Sequence, residues 1–274
     1  MKNLALSKNE LRIIKTIGSL RSMLQEMNRK GLELRRITKT ACFLMLAGLS
    51  VNSIPEIIIE RCINEQERDG GWISIVDTMW NVNFFKMLNS VKYQDRISCG
   101  LKFLEEQTNR NGLWGRSQRD VSRIPVTGMM LYLHPELATY DRLYKLENLW
   151  ESEINSLTYK AAYLLMAFKK CSYKPKQEKI IADTLRWLVK NQRDDGSFSP
   201  WKEHPVASDI FCTSVASLGL LQYREFVPVD VFKKALLWIE ETHLPQGIWA
   251  YHEIEDGASW GLWAMTELSR YLSK

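Results

Sequence analysis

Gln66-Glu67-Arg68-Asp69-Gly70-Gly71-Trp72 closes one helical stretch and leads into another. Three further segments repeat it. Glu105-Glu106-Gln107 runs on to Asn111-Gly112-Leu113-Trp114, Lys190-Asn191-Gln192 to Asp195-Gly196-Ser197-Phe198, and Glu241-Thr242-His243 to Gly247-Ile248-Trp249. Each follows an amphipathic stretch, such as Ala182 to Val189, and precedes an apolar one. The chemistry of the motif is that of a helix stop. A Gln at a helix end bonds the last unpaired carbonyls, and the following Gly takes positive φ. Asp69 or Asp195 bonds the loop backbone, and the aromatic packs back over the turn.

Gln66, Gln107, Gln192 and His243 stand 41, 85 and 51 residues apart. The long gap holds two units, so a fifth hairpin without the motif is expected near residue 150. Periods of about 40–50 residues with two helices each are the mark of stacked helical hairpins. Inner helices, apolar nearly all round, are expected at roughly 38–49, 77–90, 124–133, 157–170, 209–222 and 257–272. Outer helices are expected at 55–65, 94–107, 138–150, 177–191 and 230–242. Residues 9–35 supply the sixth, through the stripe Ile13, Ile17, Leu20, Leu24, Met27. Six and six make an all-α, (α/α)6 toroid. One domain over 1–274 is expected, with a basic helix in 1–37 closing a ring built from 38–274. The rival use of residues 9–35 is a dimerising coiled coil.

Composition is that of a globular protein: 45% hydrophobic, 25% charged, with ten Trp that must be buried or line a cavity. The five cysteines are scattered and lack CxxC spacing, which speaks against a disulfide framework and a cysteine-rich zinc site. A reducing cytoplasm fits them. Residues 1–40 lack the apolar core of a secretory signal. Ala41 to Val51, the longest apolar run, is short of the ~20 residues that span a bilayer.

The net charge of +5 is uneven. Residues 1–40 carry +7 and the remainder −2. A basic arm attracts anionic lipid, diphosphate or nucleic acid, or it is a solvated helix face. Peripheral contact with a membrane is therefore a candidate role for this helix. Nucleic-acid motifs are absent, as are phosphate loops, nucleophile elbows and HExxH pairs. His134, His204, His243 and His252 form no metal-ligand spacing, and no cofactor is expected. His243 is expected to cap its helix.

The pattern Gln66 to Trp72 resembles the QW repeat of squalene–hopene and oxidosqualene cyclases. Gln192 to Phe198 matches with Phe for Trp, Gln107 to Trp114 with one extra residue, and His243 to Trp249 with His for Gln. The resemblance spans about residues 38–274. It implies the α/α toroid of class II terpene cyclases and protein prenyltransferase β-subunits. In class II cyclases an Asp-x-Asp-Asp-Thr segment opens an inner helix, and its middle Asp is the acid. Asp209-Ile210-Phe211-Cys212-Thr213 stands at that register, with Phe211 in the acid's place and Cys212 in the last Asp's. Asp77 matches the last Asp only. The zinc ligands of prenyltransferases have no counterpart.

The resemblance implies protonation-initiated cyclisation of a linear isoprenoid. That chemistry needs a carboxylic acid kept protonated, aromatic faces for cations, and a dry cavity. Asp209 is the first candidate acid, with Asp77 and Glu153 behind it. As plain helix caps, Asp77 and Asp256 abut their helices, while Ser208 competes with Asp209 for the cap. Trp80, Tyr159, Phe211 and Trp260, near inner-helix starts, are the candidate aromatics for substrate. Lys160 needs Glu153 or Asp209 as a partner, or binds an anionic substrate group. Arg123, in the loop with Arg116, Arg119 and Asp120, is a candidate for a diphosphate. Two other readings stand beside the cyclase: a non-catalytic toroid that shelters an apolar ligand or a partner protein, and a carbohydrate-active (α/α)6 enzyme with paired carboxylates.

Overall fold

The computed structural model describes residues 7–204 and 209–274. Twelve α-helices occur there, and no strand. The inner set is α2 (Leu34–Leu46), α4 (Ile75–Asn89), α6 (Ile124–Leu133), α8 (Thr158–Lys170), α10 (Ile210–Leu221) and α12 (Ile254–Leu272). The outer set is α1 (Lys8–Arg29), α3 (Glu56–Asn64), α5 (Gln94–Glu106), α7 (Tyr140–Ser152), α9 (Ile180–Lys190) and α11 (Val229–Glu241). Each inner helix packs on the next, and α12 packs on α2, so the ring closes. In α10 every residue except Phe211 is buried, as an apolar helix inside a second layer must be. Outer helices bury one face only; α9 buries Ile180, Thr184, Leu185 and Leu188.

The four repeated turns share one bonding scheme. In each, two crossed backbone bonds pin a tight loop, such as Glu67 N–H to the Gly71 carbonyl at 2.9 Å and Gly70 N–H to the Glu67 carbonyl at 3.0 Å. The indoles of Trp72, Trp114 and Trp249 donate to the carbonyls of Cys62, Leu104 and Ile239 at 3.0, 2.7 and 2.8 Å. Each acceptor is the third residue from the end of an outer helix, one of the carbonyls that helix leaves unpaired. The Trp therefore does what the sequence suggested for the Gln. The Gln reaches forward instead. Gln66 Nε2 donates to Gly70 and to Arg96 on α5, and Gln192 Nε2 to Gly196 and to Val231 on α11. These two motifs thus tie their turns to the next outer helix, and at the Gln107 turn Arg142 of α7 does so from the other side, donating to the Gly112 carbonyl at 2.9 Å. The expected Asp contacts form, Asp69 to Gly71 N–H at 2.9 Å and Asp195 to Ser197 N–H at 3.0 Å.

The same scheme closes the ring. For the last turn, the next outer helix is α1. His243 Nε2 lies 2.9 Å from Thr16 Oγ1, Ser19 Oγ donates to the Gln246 carbonyl at 2.5 Å, and Arg12 pairs with Glu240 at 3.3 Å. His243 is therefore a bridge to α1 rather than a cap of its own helix. The fifth hairpin, α7 and α8, is present without the motif. Its turn passes through Asn155 at φ 62°, and Trp150 donates to Thr184 on α9.

Residues 9–35 do not form one helix. Gly31 takes φ +67°, Leu32 N–H bonds the Met27 carbonyl at 3.0 Å, and α2 starts at Leu34. The stop is a left-handed Gly after Lys30, a C-terminal signal the apolar stripe masked. The boundary expected at residue 37 therefore falls inside α2. No described helix is long and apolar enough to cross a membrane.

Candidate functional site

The alternation of inner and outer helices sends all six inner helices the same way, so six N-termini surround one mouth of the ring. Most of the sequence-chosen residues gather there, but as paired charges. Asp77, 9% exposed, lies 3.8 Å from Arg35 and accepts the Ser74 hydroxyl. Ser74, not Asp77, caps α4. Glu153 pairs with Lys160, the partner the sequence offered for that lysine. Arg123 is held by Asp120 at 2.6 Å, and Asp120 also accepts the backbone N–H of Arg116 and Val121. That cage, led by Arg123, holds the Asp120 carboxyl far below its ordinary range. Asp256 sits in the first turn of α12 and pairs with Lys39 at 2.5 Å; it caps nothing. Glu255 pairs with Arg36.

Asp209 differs. It is half-buried and caps α10, accepting the Cys212 N–H at 2.7 Å, and it has no cation partner among the described residues. The competing cap Ser208 lies outside the described residues. Thr213, which matches the Thr of the resemblance, bonds the backbone of Phe198 in the preceding turn. Thr78 and Thr127 make the same bond to Trp72 and Trp114. That Thr is a fastener of the fold.

Below the charges lies a cluster of rings. Phe43 stands 5.5 Å from Trp80, 4.8 Å from Trp260 and 5.4 Å from Trp263. Phe211 reaches Trp260 at 5.6 Å and Tyr159 at 5.9 Å. The four aromatics chosen from sequence thus belong to one cluster, with Trp80 and Trp260 buried and Tyr159 and Phe211 at its rim. The Lys39 ammonium lies 5.3 Å from the Trp80 ring and 5.4 Å from the Trp260 ring. Two indole faces attract this cation through their quadrupoles, and Asp256 fixes it from the side. The place suited to a substrate cation holds a lysine of the chain itself.

Sequence reasoning missed Lys39, Phe43, Arg35 and Arg36. The signal was there. Residues 35, 39 and 43 are spaced by four, one face of a helix. The misplaced start of α2 gave Arg35 and Arg36 to the outer layer and hid that face. Tyr163 and Tyr251 were also missed as part of this mouth. With Tyr159 they surround Cys212, and burial pushes all three phenols and the Cys212 thiol up, so these are neutral groups at ordinary pH. A small space at this mouth, about 10 Å³, lies among Arg35, Arg36, Lys39, Thr40, Glu253 and Asp256. No three His, Cys, Asp or Glu side chains among the described residues come together as a metal-binding group.

The larger space is at the opposite mouth, where the inner helices end. A cavity of about 970 Å³ is floored by Leu46, Tyr132, Leu218 and Trp263 from α2, α6, α10 and α12. Trp263 also packs on Trp260 at 5.7 Å, so it separates this cavity from the central rings. Burial pushes the Tyr132 phenol up to about 12. On the same side, the Lys86 ammonium donates to His134 Nδ1 at 2.8 Å, while His134 Nε2 donates to the Met79 carbonyl at 2.9 Å. Burial, with Lys86 beside it, brings His134 down to about 3.

No protein-family model and no curated protein matches the sequence. Solved structures do resemble the fold. A variant of the type II terpene cyclase MstE from Scytonema, in complex with geranylgeranyl dihydroxybenzoate as substrate, superposes with a TM-score of 0.72 at 12% identity, over 97% of this chain and 99% of that one. Another variant of the same cyclase, holding its product merosterolic acid A, gives 0.69 at 14% identity, over 98% and 99%. A protein from Actinoplanes gives 0.66 at 13% identity, over 86% and 90%. The chain has a terpene cyclase-like toroid fold, and at these identities the likeness speaks for the fold alone.

Proposed function

We propose that this toroid binds a linear isoprenoid and shelters it without cyclising it. The observation that carries the reading is Lys39. Its ammonium occupies the aromatic site between Trp80 and Trp260 where a cyclase would stabilise a carbocation. The acids support it. Asp77 lies 3.8 Å from Arg35 and Glu153 pairs with Lys160, so each faces a cation of the chain. The terpene cyclase-like fold and the apolar, aromatic floor of the C-terminal cavity support an apolar chain as the ligand. The same pairing removes the free carboxylate pair that glycoside chemistry needs.

One observation favours protonation-initiated cyclisation as the second reading. Asp209 lies free of cations among the described residues, at the mouth formed by Phe211 and Tyr251. The two readings separate in one experiment. Purified protein and its Asp209→Asn variant are incubated with linear polyprenyl alcohols, polyprenyl diphosphates and squalene. Binding is followed by tryptophan fluorescence and products by mass spectrometry. The expected result is saturable quenching with the substrate recovered unchanged. A cyclised product that disappears in Asp209→Asn would overturn the non-catalytic reading and make Asp209 the acid.

A further inference from the structure

The two mouths and the axis of the ring differ in room and in free charge for an isoprenoid with a polar head. At the N-terminal mouth the helix dipoles favour an anion. Yet Arg35, Arg36, Lys39, Arg123 and Lys160 are all held by carboxylates there, and the space beside Arg35, Arg36 and Lys39 is about 10 Å³. The ring axis is filled by rings packed 4.8–5.7 Å apart. The C-terminal cavity offers about 970 Å³, against about 520 Å³ beside Ile181 and Phe226 and about 390 Å³ beside Met23 and Ile254, and it is at the upper end of the ~300–1,000 Å³ usual for small-molecule sites.

We propose that this cavity is the ligand site, and that it takes an isoprenoid chain carrying an anionic head. The proposal rests on the isoprenoid-binding reading above. The floor of Leu46, Tyr132, Leu218 and Trp263 is apolar and aromatic, and it ends at the blocked axis. The tail therefore lies against Trp263. The rim carries five basic side chains and two acidic ones. Lys169 is matched by Glu225 at 3.0 Å and Arg270 by Glu267 at 2.7 Å. Arg224 makes no salt bridge among the described residues; it lies over the Tyr271 ring at 5.9 Å and shares the field of Glu225, whose direct ion-pair partner is Lys169. Lys233 has only Asp230, at 3.6 Å on the exposed surface. The inner-helix carbonyl ends repel an anion on the axis, so the head sits off it, in the groove between α11 and α12 that Lys233 and Tyr271 border.

The test uses geranylgeranyl diphosphate and geranylgeraniol as probes, with affinity read by calorimetry and tryptophan fluorescence. Wild-type protein is expected to bind both, the diphosphate on the order of tenfold more tightly at low salt, with the advantage shrinking as salt rises. Leu218→Trp, which fills the cavity, should weaken both at least about tenfold. The paired exposed reversals Arg224→Glu and Lys233→Glu should erase the diphosphate's advantage and leave the alcohol's affinity in place. They decide the head's position even if Leu218→Trp misfolds. Phe211→Ala, at the other mouth, should change neither. Binding that ignores the reversals, or that Phe211→Ala releases, overturns the C-terminal site while leaving an isoprenoid binder. Failure of wild-type protein to bind either probe overturns the isoprenoid reading, and this site with it.

Discussion

His134 shows how a side chain that looked idle in sequence acquires a measurable role through burial. It follows α6, is fully buried, and donates from Nε2 to the Met79 carbonyl, so Nδ1 is left as the acceptor for Lys86. A second proton would have to displace that ammonium bond inside the protein. The folded imidazole stays neutral down to about pH 3, whereas in the unfolded chain it charges near pH 6.5. Between those values the unfolded state binds the extra proton, so stability falls as pH falls. Going from pH 7 to pH 5 is expected to cost about 2 kcal/mol through this one group. Urea unfolding of wild type and His134→Gln at both pH values checks it. The variant should be less stable at pH 7 but should lose markedly less on acidification; parallel losses would place the pH dependence elsewhere. Lys39 makes the complementary case. It was invisible as a site residue, because a cation near the start of an inner helix reads as surface. Only the packing of α2 against α4 and α12 reveals the two indoles around it.

The helices and their order were legible in the sequence because the repeated turn carries its own chemistry. Gln66 to Trp72 and its three relatives end helices at nearly the expected residues, and the six inner stretches are apolar enough to be read as buried. What the repeat could not disclose is direction. The Gln and Trp bonds run to different helices, and that depends on which outer helix lies alongside. The turn glycines make the point quantitative. Gly196 has φ +90°, and an added Cβ would meet the Lys234 carbonyl of α11 at 2.3 Å. Gly112 has φ +73° but open space, with only the Lys145 ammonium at 3.7 Å. The left-handed backbone alone costs a side chain roughly 1–2 kcal/mol. Gly112→Ala should therefore lose about that much, while Gly196→Ala should lose on the order of 4 kcal/mol or more, since backbone must move. Thermal and urea denaturation of the two variants decides it. Equal losses would mean that the turn does not dock on α11 as described.

At the scale of the molecule, the ring must be closed by something outside the repeat, and the chain uses its first helix. The apolar stripe of α1 was readable, but whether it faced a second chain or the last hairpin was not, since a helical period has no address. The structure supplies the address: α1 packs on α12 and α2, and Gly247 of the last turn lies against Lys15 and Ser19 just as Gly196 lies against Lys234. Leu20, Leu24 and Met27 are at most 5% exposed in that contact. Burying three such side chains contributes about 5–9 kcal/mol, comparable with the roughly 5–15 kcal/mol that holds a whole domain folded. A closed ring also has no free end at which to fray, so losing α1 exposes α12 and α2 together. Deletion of residues 1–32 is therefore expected to abolish cooperative thermal unfolding and to give a species that binds a hydrophobic dye. A synthetic peptide of residues 7–32, added in excess, should restore a cooperative transition whose midpoint rises with peptide concentration. The variant Thr16→Val, which removes the bond to His243 but keeps the buried volume, should restore it less well by about 1 kcal/mol. A truncated chain that melts like the full one would show that the ring does not need its first helix, and would return α1 to the role of an arm for a partner.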